Sequence, residues 1–72
     1  MLNKRELSAI RNALPEHGYQ KIADKCGKSA EAVGQILREP QRYNADVINK
    51  AFEVIAEHKA VIELQKQKVK EL

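Results

Sequence analysis

The stretch YQKIADKCGKSAEAVGQIL, residues 19–37, carries apolar residues at helical spacing on both sides of a glycine. Tyr19, Ile22, Ala23 and Cys26 share one face of a first short helix, and Val33, Ile36 and Leu37 share one face of a second. Gly27 lies between them. It has no Cβ to clash in the left-handed region, and helices commonly stop where the next residue enters that region. Ser29 supplies the other half of the junction, because its hydroxyl can accept from a backbone N–H in the first turn of a new helix. That helix is predicted over residues 30–38, short of Pro40. The stretch is therefore read as two helices joined by a tight, glycine-pinned turn.

The flanks extend the pattern. Asn3 and Glu6 have the spacing of a capping box, and Leu2 and Leu7 that of a hydrophobic staple. Leu7, Ile10 and Leu14 then form an apolar stripe that Pro15 ends. PEHG is read as a turn before a helix beginning at Tyr19, and EPQRYN as a loop. Asn44 caps a last helix, Asp46 favours its N-terminal dipole, and Tyr43 is placed to staple onto Ile48. No Gly or Pro follows Asn44, so one long helix is permitted from there to Leu72. No repeat, low-complexity tract or strand-like alternation interrupts the scheme. The expected fold is all-α: a bundle of four helices over residues 1–57, with an extended C-terminal helix over residues 58–72.

A chain of 72 residues makes one small domain, which buries only about 60% of its unfolded surface. Its single cysteine, Cys26, cannot form an internal disulfide, which fits a reducing compartment. No apolar run approaches the roughly 20 residues that span a bilayer, and MLNKRELS has no signal-peptide core. A soluble cytoplasmic protein without membrane association is expected. Cys26 reads as a small buried hydrophobe, since no base lies near it in sequence. His17 and His58 have no ligand spacing with it or with each other, so no metal or other cofactor is expected. Carboxylate pairs, phosphate-binding glycine loops and nucleophile–base spacings are also missing, and the chain reads as a non-enzyme.

Charge is unevenly distributed. Residues 1–44 carry eight Lys/Arg (Lys4, Arg5, Arg11, Lys21, Lys25, Lys28, Arg38 and Arg42) against five acids, whereas residues 45–72 carry five of each. A polyanionic partner is expected to dock on the front part of the chain.

Counting Tyr19 as position one, Ile22, Ala23, Gly27, Val33 and Ile36 fall at the fourth, fifth, ninth, fifteenth and eighteenth positions. QKIADKCGKSAEAVGQIL thereby resembles the helix-turn-helix unit of lambda-repressor-like domains, whose second helix enters the DNA major groove. PQRYNADVINKAFEVI is similar to the closing loop and capped helix of the lac repressor family. The resemblance covers about residues 19–57. It implies that Lys28, Ser29, Ala30, Glu31, Gln35 and Arg38 face double-stranded DNA, with Tyr19, Gln20 and Lys21 near phosphates. Arg42 and the other front-half cations would add phosphate contacts. Chemically, Gln35 can bridge adenine N6 and N7, Arg38 can meet guanine or a phosphate, and Glu31 can accept from cytosine N4 while repelling the backbone. Gly34 costs about 1 kcal/mol against Ala inside a helix. Close approach to a phosphate or to another helix would account for it.

Ile48, Ile55, Ile62 and Val69 recur every seven residues, and Val47, Val54 and Val61 form a second row. The fourth positions of this heptad are Ala51, His58, Gln65 and Leu72. A four-helix domain needs only the part up to about Ile55. Val54, Ile55, Val61, Ile62 and Val69 are therefore assigned to a homodimer face. The whole is read as a dimeric DNA-binding transcriptional regulator, a repressor of phage or bacterial type acting at the nucleoid. The alternative is a protein–protein adaptor on the same scaffold, binding through its C-terminal helix.

Overall fold

The computed structural model describes residues 2–72. Those residues form four α-helices and one 3-10 turn, and no strand occurs among them. Helix α1 spans Lys4–Ala13. Its capping box is reciprocal: Asn3 Oδ1 accepts from the Glu6 N–H at 2.8 Å, and Glu6 Oε1 accepts from the Asn3 N–H at 3.0 Å. Leu14 is extended, as a residue before proline prefers, and ends the helix.

Helix α2 spans Gly18–Cys26, one residue earlier than the sequence predicts. The left-handed residue of the PEHG turn is His17, with φ of 61°, rather than Gly18. Gly18 belongs to the helix for another reason: a Cβ there would stand 2.9 Å from Leu14 Cβ. Gly27 adopts φ of 68° and terminates α2. Helix α3, Ala30–Arg38, then begins with Ser29 Oγ accepting from the Ala32 N–H at 3.1 Å. Both halves of the junction follow the sequence reading.

The segment read as a loop contains a 3-10 turn at Pro40–Arg42. The Arg42 N–H donates to the Glu39 carbonyl at 2.9 Å, and proline suits the first position because it has no N–H to leave unsatisfied. Tyr43 remains 41% exposed. Asn44 Oδ1 accepts from the Val47 N–H at 3.2 Å and opens α4, Ala45–Lys70.

The core comprises Leu7, Ile10, Ile22, Ala23, Val33, Leu37, Val47, Ile48, Ala51, Val54 and Ile55. All four helices contribute, with α2 against both α3 and α4, and α1 closing over α3. Ile36, expected inside, lies half-buried at the edge. Val54 and Ile55 are 2% and 8% exposed. They are therefore core residues and not part of a dimer face, because the apolar stripe of α4 runs through them against the other helices. Past Ile55 no residue of α4 is buried, and only His58 and Ile62 are half-buried. The molecule measures 48 × 25 × 16 Å, the long dimension reflecting the projecting end of α4. Among the described residues, no helix is long and apolar enough to cross a membrane.

Candidate nucleic-acid interface

Helix α3 buries Val33 and Leu37 and leaves Glu31 and Arg38 exposed. Two contacts fix its position. Gly34 is buried beneath the ring of Tyr19 from α2, where a Cβ would stand 3.4 Å from Tyr19 Cε2 and 3.5 Å from Arg38 Nη2. At the other end, Arg11 of α1 donates to the Leu37 carbonyl. That carbonyl belongs to the last turn of α3, where intrahelical partners run out, so Arg11 ties the helix end down.

The residues expected to face DNA fall into three groups. Gln20, Lys21, Lys28, Ser29, Glu31, Arg38 and Arg42 are exposed. Gln35 is half-buried. Ala30 and Tyr19 are half-buried and packed on the core, which makes them packing groups first. Ala30 offers only a methyl partly covered by the core, and Tyr19 is the wall against which Gly34 sits.

Hydrogen bonds and ion pairs reduce the supply of available cations. Arg11 is held by Leu37, Arg42 pairs with Glu39, and Lys25 Nζ donates to Glu57 Oε1 at 2.9 Å. The Glu57 hydrogen bond, and then its charge, raise the Lys25 pKa above the usual lysine value. Of the eight front-half cations, Lys4, Arg5, Lys21, Lys28 and Arg38 have neither an ion pair nor a side-chain hydrogen bond among the described residues. Gln20 is oriented by Asp24, its Nε2 donating to Oδ1 at 2.8 Å. Glu31 lies in the first turn of α3, where the helix dipole favours a carboxylate.

Cys26 is half-buried against the core. Burial pushes its thiol pKa up, and the Asp46 carboxylate adds in the same direction, so the sulfur stays protonated at neutral pH. Among the described residues, no three His, Cys, Asp or Glu side chains come together to hold a metal ion. Of the five residues assigned to a dimer face, three lie beyond the core: Val61 is 52% exposed, Val69 67%, and Ile62 half-buried.

The contact sequence reasoning missed is Arg11 to Leu37. Arg11 lies four residues after Leu7 and three before Leu14, hence on the inner side of α1, and that spacing was the available indication. No protein-family model, curated protein or solved structure matches this chain.

Proposed function

We propose that this protein is a sequence-specific DNA-binding transcriptional regulator of the helix-turn-helix type, a cytoplasmic repressor that acts as a homodimer. The observation that carries the reading is the α2–α3 unit. Gly27 is left-handed and Ser29 caps, while Glu31 and Arg38 are exposed on α3 and Gln35 is half-buried beside them. In this reading α3 enters the major groove. Gln35 bridges adenine N6 and N7, Arg38 reaches guanine O6 and N7 or a phosphate, and Glu31 accepts from cytosine N4. Lys21 and Lys28 flank the unit and hold phosphates, which position the protein without reading sequence. No side chain has a catalytic role. The α4 extension joins two such units, since one sparse reading helix discriminates weakly and two linked half-sites multiply the selectivity.

Salt dependence of nonspecific DNA binding tests the proposal. With about three phosphates neutralised per subunit, a dimer gives a log–log slope near −5. A slope near zero would exclude nucleic-acid binding. It would favour the adaptor reading, which draws support from the exposed Val61, Leu64 and Val69 of the extension.

A further inference from the structure

We infer that the α4 extension pairs with a second copy in parallel and in register, through Ile62, Gln65, Val69 and Leu72. The inference rests on the dimeric reading above and specifies its geometry. The core ends at Ile55, so the extension from His58 onward is free to pair. On that segment Ile62, Gln65 and Val69 line one groove, and Lys66 and Lys70 stand beside it. The helix is continuous from the core, so the extension is already helical and little order has to be created on pairing.

The heptad decides the occupant and its direction. Ile62 and Val69 fall at the a positions and His58 and Gln65 at d, with Leu72 at the next d register just past the helix end at Lys70. Branched residues at a suit two parallel strands, and polar seam residues that must meet one another, here His58 and Gln65, select one register. In parallel alignment Gln65 meets Gln65 of the second copy, amide to amide. An antiparallel copy would set that amide against Val69. Charge points the same way. Lys59 and Lys66 occupy the e positions, while the g positions are Val61 and Lys68. In a parallel pair e faces g of the other helix, so Lys66 lays its alkyl stem over Val61 of the second copy. In an antiparallel pair e faces e, and lysine is driven against lysine.

The pairing places both four-helix bundles at the same end of the joined extensions, related by a two-fold axis along them. An inverted repeat of half-sites has that symmetry.

Disulfide trapping on the full chain, in a Cys26→Ser background and without DNA, tests the geometry. Three variants are oxidised in glutathione buffer: Ile62→Cys, Leu72→Cys and, on the opposite face, Gln67→Cys. The expected result is self-crosslinking of Ile62→Cys and of Leu72→Cys at least about tenfold faster than of Gln67→Cys, because pairing raises the local thiol concentration. Crosslinks formed chiefly between Ile62→Cys and Leu72→Cys in a mixture would establish the antiparallel arrangement and overturn the inference. Equal rates for all three would show that a second copy does not occupy the seam. Both Leu72 and Gln67 are exposed, so neither replacement threatens the fold. Since DNA is absent, failure here leaves the salt-slope test of DNA binding unaffected.

Discussion

The ring of Tyr19 on α2 lies 3.4 Å from the point where a Cβ on Gly34 of α3 would stand. That distance is ordinary van der Waals contact, so an alanine fits without displacing the ring. The glycine therefore carries its helix-propensity penalty without a steric need for it. Gly34→Ala is expected to stabilise the protein by up to about 1 kcal/mol, seen as a rise of roughly 4–8 °C in Tm for a domain of this size. A lowered Tm would mean that the Tyr19–Arg38 side of α3 is tighter than these distances imply.

The other two glycines should behave differently. At Gly18 a Cβ would lie 2.9 Å from Leu14 Cβ, an atom fixed to the α1 backbone, so the α1–α2 corner must shift. Gly18→Ala is expected to cost about 1–3 kcal/mol, the usual penalty of overpacking. At Gly27 nothing lies within 4 Å, and the obstacle is the φ of +68°. Gly27→Ala should cost about 1–2 kcal/mol through backbone conformation alone. Gly27→Asn should recover much of it, because asparagine tolerates the left-handed region, whereas Gly18→Asn should not improve on Gly18→Ala. Urea unfolding of the four variants checks this, and recovery at Gly18 would refute the steric account.

Ser29 allows the cap to be separated from any phosphate contact. Ser29→Ala removes the acceptor for the Ala32 N–H and should cost about 1 kcal/mol. Ser29→Asp keeps an acceptor and should restore stability. On DNA, however, its carboxylate should weaken binding by opposing the phosphates. Equal affinity for wild type and Ser29→Asp at low salt would place Ser29 away from the backbone.

The helices were legible because their punctuation is local. Asn3, Gly27, Ser29 and Asn44 act on residues within one turn of themselves, so a few positions of sequence contain the whole interaction. What stayed hidden depends on residues distant in the chain. Arg11 and Leu37 are 26 positions apart and Lys25 and Glu57 are 32; spacing turns Arg11 inward, but no local pattern names the partner of either cation. The same holds for Val54 and Ile55. Their heptad spacing suits a dimer seam and a domain core equally, and only the packing of α4 on the bundle assigns them to the core. For the site, Gln35 and Arg38 could be placed on α3 by counting turns, but the packing of Ala30 inward required the tertiary structure.

Gln35 should contribute to base discrimination. Replacing it with alanine is expected to relax the preference at one base position, at a loss of about 1–3 kcal/mol of discrimination. Selection from random DNA before and after the change reads this directly. An unaltered selected motif would remove Gln35 from the reading set.

Cutting the chain after His58 should leave a folded monomer, since every buried side chain lies at or before Ile55. Affinity for DNA with two half-sites should then fall by about 10²-fold or more as the linked contact is lost. Circular dichroism and light scattering establish the folded monomer, and DNA titration the loss. If the intact protein is a monomer and binds such DNA no better than the truncated form, the extension has no role in pairing.

From Ala45 to Lys70, α4 contains no glycine and no proline, and its first turns are clamped in the core. Such a helix has no hinge and acts as a stiff strut, so a bundle cannot swivel independently of its own extension. For a regulator joined through that strut, the spacing between half-sites is set by the protein and is not negotiable. One inserted base pair turns the second half-site by about 35° around the duplex, and no flexible joint exists between the bundle and the seam to absorb that rotation.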